Sequence, residues 1–111
     1  SRSADDTKIG DIITTISGIN YTIKNLKSWM KPKKRKVDLL FQPAKASILF
    51  QPLGVVGVVV PWNYPVFLSL GPLATALAAG NCVMLKMSEF TPVTATLLAG
   101  LLHNLLQLLM V

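Results

Sequence analysis

Asn63 stands in the run Pro61-Trp62-Asn63-Tyr64-Pro65, where two prolines restrict the backbone on either side of one amide side chain. An amide NH₂ held this way, just past an apolar run, can donate to an oxygen that gains negative charge during a reaction. Loss of one such donor costs about 2.7–4 kcal/mol of transition-state stabilisation. Lys86 and Glu89 are the only charged residues after position 45, and they lie three apart. A cation and an acceptor so placed suit the hydroxyls of a ribose. They equally suit an exposed ion pair worth about 0–1 kcal/mol, and the pattern alone leaves both readings open.

These residues need elements to carry them. Val55, Val56, Val58, Val59 and Val60, between Gly54 and Pro61, form a β-branched run that reads as a strand covered on both faces. Residues 66–79 are apolar or small and predict a helix, closed by Gly80-Asn81, which tolerate a left-handed end. Cys82 to Leu85 predict a second strand. Two buried strands joined by a helix make a βαβ crossover, and such sheets place ligands beyond the carboxyl ends of their strands. Those ends are Pro61-Trp62-Asn63 and Lys86-Met87-Ser88-Glu89.

Elsewhere, Ile9, Ile12, Ile13, Ile16, Ile19 and Ile23 recur at helical spacing and predict an amphipathic helix over 6–30, with Gly18 its weak point. The basic run at 31–36 ends it and reads as a solvated linker rather than a nucleic-acid arm. Residues 37–52 hold two apolar runs split by Gln42-Pro43-Ala44-Lys45 and read as a hairpin. Thr91-Pro92 opens a last helix on which Leu98, Leu101, Leu102, Leu105 and Leu109 share a face. His103 lies on its narrow polar stripe without a ligand-spaced partner and reads as a surface histidine. Cys82, among apolar neighbours, reads as a buried, inert thiol.

Several function classes lose support. The glycines of Gly54-Val55-Val56-Gly57 precede their strand and lack G-x-G-x-x-G spacing, and there is no phosphate-loop lysine or pair of carboxylates. No metal site is expected. The formal charge of +6 comes from residues 1–45, with ten Lys/Arg against four Asp, so neither nucleic acid nor membrane is expected as a partner. A single Cys and a polar opening segment make the cytosol the default. With 51% hydrophobic residues in 111, the chain reads as a fragment of a larger α/β protein.

The runs PLGVVGVVVPWNYP, LAAGN and LKMSEFTPVTA, in that order, resemble the NAD(P)-dependent aldehyde dehydrogenase superfamily. The preceding WMKPKKRKVDLLFQPAKASILFQPLGVVG is most similar to its coniferyl aldehyde dehydrogenase branch. The likeness spans about residues 21–100 and is strongest over 52–96. It implies a partial Rossmann-like cofactor domain, βαβα at 53–111, preceded by an N-terminal helix and basic linker at 1–36 and a hairpin arm at 37–52. It implies that Asn63 belongs to the oxyanion hole and that Lys86, Ser88 and Glu89 meet the adenosine ribose of NAD or NADP. The backbone at Val60, Pro61 and Trp62 would line the cofactor cleft. Met87 replaces a proline common in the family motif.

The family reaction uses a cysteine thiolate, with hydride passing to nicotinamide, and a glutamate that activates water. Neither Cys82 nor Glu89 aligns with these groups. The resemblance therefore implies an aldehyde-oxidising, homo-oligomeric parent, dimeric in the first instance, and an inactive piece with weak cofactor binding. Two other readings are a non-catalytic remnant that pairs with a full-length relative, and a small basic protein with its leucine helix in a membrane.

Overall fold

In the computed structural model, residues 3–109 are described, with side chains described through Gln107. The first helical stretch comprises α1 (Ala4–Thr7), a π-helical segment (Lys8–Ile13) and α2 (Thr14–Trp29). Ser3 caps it, accepting the Asp6 N–H at 3.1 Å. The predicted helix is present, but its irregularity is the π segment rather than Gly18, and its inward face is not the isoleucine stripe. Ile9, Ile12, Ile13, Ile16 and Ile23 are exposed, whereas Asp11 and Thr15 are buried and Ile19 is half-buried. Asp11 and Thr15 lie four apart, so they share the face that packs on the next helix.

The basic run is a strand and not a linker. β1 (Lys33–Arg35) pairs antiparallel with β2 (Ala46–Ile48), in the register Lys33 to Ile48 and Arg35 to Ala46. The hairpin therefore uses the lysines as its first strand. The apolar run predicted for that place forms a 3-10 turn, Leu39–Phe41, started by the Asp38 carboxylate accepting the Leu39 N–H at 2.6 Å.

β3 (Val55–Val59), α3 (Pro65–Ala78) and β4 (Cys82–Lys86) make the expected parallel crossover, with Val55 opposite Cys82 and Val59 opposite Lys86. α4 (Pro92–Leu109) follows. Alternation along the strands separates the two faces. Val56, Val58, Val83 and Leu85 are half-buried, while Val55, Val59, Cys82 and Met84 are exposed. One face thus stays open where the β-branched run predicted cover on both, and Cys82 is an exposed thiol instead of a buried one.

Only Val60 and Leu98 are buried hydrophobics among the described residues. The radius of gyration is 18.7 Å, against about 13 Å for a compact chain near this length. Secondary structure is therefore complete here while the core is not.

Candidate functional site

β3 ends where Pro61 removes a backbone donor, and the turn that follows is tightly constrained. Tyr64 adopts φ 49°, a left-handed conformation uncommon for a residue with a side chain, and Pro65 begins α3 with φ already helical. This places Asn63 on the exposed loop between the strand end and the helix N-terminus. Asn63 lines a cleft of about 750 Å³ with Asp6, Asp11, Trp62, Tyr64 and Thr94 among its neighbours. Its volume falls in the range of small-molecule sites, about 300–1,000 Å³.

The neighbouring strand end carries the charges. The Val60 N–H donates to the Lys86 carbonyl at 2.9 Å, so the two strand ends are level. Lys86 Nζ lies 3.1 Å from Glu89 Oε2, with both side chains mostly exposed. The backbone N–H at Glu89 and then the Lys86 ammonium hold the Glu89 carboxyl below its usual range. Ser88 is buried; its Oγ accepts the Phe90 N–H at 3.2 Å, and its carbonyl accepts the Thr91 N–H at 3.1 Å. The serine thus fixes the turn that presents Glu89. Lys86, Ser88 and Glu89 do not line the cleft that holds Asn63.

The register sets Cys82 at the opposite end of β4 from Lys86. Four residues at about 3.3 Å each separate them by roughly 13 Å. The thiol is therefore remote from the turn at the strand ends. His103 is exposed, with its Nε2 2.9 Å from Gln107 Nε2. No described helix is long and apolar enough to cross a membrane.

Two residues that position the site were missed by the sequence reading. Asp11 is 1% exposed, and its Oδ1 accepts the Phe67 N–H at 3.1 Å in the first turn of α3. Tyr64 offers no side-chain cap there, so a carboxylate from a distant helix satisfies the helix end. The signal was the polar series Thr7, Asp11, Thr15 at spacing four. Asn81 accepts the Leu53 and Gly54 N–H groups on Oδ1 at 2.6 and 3.1 Å, and donates from Nδ2 to the Ala76 carbonyl at 3.2 Å. Gly80, not Asn81, takes the positive φ at the helix end, at 81°.

Residues 2–106 match the profile described as the Aldehyde dehydrogenase family. The chain is 61% identical over 105 residues to the protein named "Probable coniferyl aldehyde dehydrogenase" of Pseudomonas aeruginosa, covering 95% of this chain and 22% of that protein. It is 45% identical over 102 residues to "Coniferyl aldehyde dehydrogenase" of a Pseudomonas species, covering 92% of this chain and 21% of the relative. Among solved structures, the substrate-bound state of Staphylococcus aureus AldH superposes with a TM-score of 0.76 at 38% identity. That superposition covers 78% of this chain and 19% of the other. The chain spans about a fifth of the length of these relatives.

Proposed function

Because this chain belongs to the aldehyde dehydrogenase family, we propose that the complete protein of which it forms part oxidises an aldehyde to a carboxylic acid with NAD or NADP. Its substrate in this reading is coniferyl aldehyde or another aromatic aldehyde. One observation carries the proposal: the 61% identity runs through the turn that holds Asn63 beside the end of a parallel strand pair.

The residues present fit a nucleotide at these strand ends. An exposed ammonium and an exposed carboxylate 3.1 Å apart offer a donor and an acceptor to neighbouring hydroxyls. Lys86 and Glu89 hold the ribose, Ser88 keeps their turn in place, and the backbone at Val60, Pro61 and Trp62 forms the adjoining wall. The nicotinamide, when bound, accepts the hydride.

Asn63 works at the aldehyde. Its amide donates to the carbonyl oxygen as negative charge develops there, and the constrained turn spares the reorganisation that a mobile donor would need. The nucleophile and the water-activating carboxylate come from the remaining sequence in this reading. The 111 residues alone are inactive, and they hold the cofactor weakly because only one side of the cleft is built. The complete protein is a cytoplasmic homo-oligomer, and the apolar faces left open here give it surfaces that need cover.

The test is an assay of the complete protein with coniferyl aldehyde and each cofactor, following nicotinamide reduction. Aldehyde-dependent reduction with release of the acid supports the proposal. No reduction of either cofactor with any aromatic aldehyde overturns it.

A further inference from the structure

The junction that carries Asn63 is held on both sides, and one of the holding groups comes from far away in the sequence. Upstream, the Val60 N–H donates to the Lys86 carbonyl at 2.9 Å and fixes the end of β3. Downstream, Asp11 Oδ1 accepts the Phe67 N–H at 3.1 Å and fixes the start of α3. Between these points Tyr64 sits at φ 49°, a conformation that persists only where its surroundings over-determine it. Asp11 is itself anchored: it lies in the π-helical segment, and its carbonyl accepts the Thr15 hydroxyl at 2.6 Å and the Thr14 hydroxyl at 3.1 Å. Asp11 and Asn63 line one cleft. Asp11 is nevertheless 1% exposed, so its carboxylate serves the protein's own backbone. Both partners of the bond belong to this chain, and the contact asks nothing of surfaces that the rest of the complete protein covers.

We propose that Asp11 is a positioning residue for the oxidation, anchoring the start of α3 so that the Asn63 amide stays aimed at the aldehyde oxygen. The inference rests on the role proposed above for Asn63. An amide donor contributes only as far as it points to the place where charge develops, and a misplacement of about 1 Å costs on the order of 100-fold in rate. Pro61 and Pro65 restrict their own φ angles, but they do not set where the helix begins relative to the strand. The Asp11 bond constrains that relation directly. Because Asp11 acts through Asn63, its removal costs no more than removal of the amide. The bond needs an acceptor and not a charge, so asparagine at position 11 serves in its place.

The experiment is steady-state kinetics of the complete protein, expressed per active site, at a temperature where every variant is folded. Asp11→Ala is expected to lower turnover on the order of 10- to 100-fold, with cofactor affinity unchanged. Asp11→Asn recovers most of that loss. Adding Asp11→Ala to Asn63→Ala lowers turnover no further, because residues that act as one unit are not additive. If the alanine variant does not fold, Asp11→Thr replaces it, filling most of the space while its hydroxyl bonds back to its own helix. A carboxylate that merely stabilises the fold leaves turnover per active site at the parent value, and that result overturns the proposal. So does an equal proportional loss with and without the Asn63 amide, or an asparagine variant as slow as the alanine one. A large loss in Asn63→Ala beside unchanged Asp11→Ala removes this inference alone, whereas parental turnover in Asn63→Ala removes the reading on which it rests as well.

Discussion

Asp11 Oδ1 accepts the backbone N–H of Phe67 at 3.1 Å, joining residues 56 apart in the chain. The bond ties the π-helical segment to the first turn of α3, directly after the turn that carries Asn63. Asp11→Ala is expected to destabilise the protein by about 1–3 kcal/mol, because it leaves a helix N-terminal donor without its acceptor. Asp11→Asn keeps an acceptor of the same shape and should cost less. Urea midpoints at an unchanged slope measure both. Equal midpoints for Asp11→Ala and the parent would remove this carboxylate from the positioning of the turn.

Asn81 joins three backbone groups, accepting from Leu53 and Gly54 and donating to Ala76. It therefore locks the start of β3 to the end of α3. Asn81→Ala takes the acceptor from two donors at a largely buried position, while the Ala76 carbonyl keeps the backbone N–H of residue 81 at 3.0 Å, for an expected loss of about 1–3 kcal/mol. Hydrogen exchange at the Leu53 and Gly54 amides should accelerate more than exchange in β2. A uniform acceleration across the chain would mean that Asn81 acts on global stability alone.

The crossover was legible in the sequence because its signals are local. A β-branched run bounded by glycine and proline, an apolar helix closed by Gly80, and a second short strand each need only neighbouring residues to be read. The isoleucine helix was legible in type but not in orientation. Its six isoleucines mark an apolar face, and only packing reveals that the Asp11 and Thr15 face is the one α3 covers. The basic run failed for a related reason: three cations have little intrinsic claim to a strand, and Lys33–Arg35 pair only because the chain returns at Ala46–Ile48. Asn63 and Lys86 were legible as ends of adjacent strands, whereas the burial of Ser88 and the openness at Cys82 depend on which sheet face receives a helix.

Glu89 gives a pH-dependent prediction. Its carboxyl is held low first by the backbone N–H and then by the hydrogen bond and charge of Lys86. A depressed folded-state pKa stabilises the fold above the ordinary glutamate range, near about 4.3, and that contribution disappears as pH falls through the lowered value. Lys86→Met removes the two contributions from the lysine and retains the backbone one. Glu89 should then titrate higher than in the parent while staying below an unperturbed glutamate. Carboxyl-carbon NMR titration of both proteins measures this; an unmoved Glu89 after Lys86→Met would deny the pair any electrostatic coupling.

The division of labour proposed for Asn63 and Glu89 predicts opposite kinetic signatures in the complete protein. Asn63 leads into α3 from a constrained turn and lines a cleft that Glu89 does not reach. Asn63→Ala should lower turnover about 10²–10³-fold, the cost of one oxyanion donor, with cofactor affinity nearly unchanged. Glu89→Gln replaces a charged acceptor by a neutral one at the ribose, so it should weaken cofactor binding several-fold with turnover at saturation preserved. Steady-state kinetics with separate variation of aldehyde and cofactor distinguish the two. Unchanged turnover in Asn63→Ala would refute its role at the aldehyde oxygen. A Glu89→Gln enzyme with normal cofactor affinity would leave the Lys86 and Glu89 pair as a surface ion bridge, the alternative left open by their spacing.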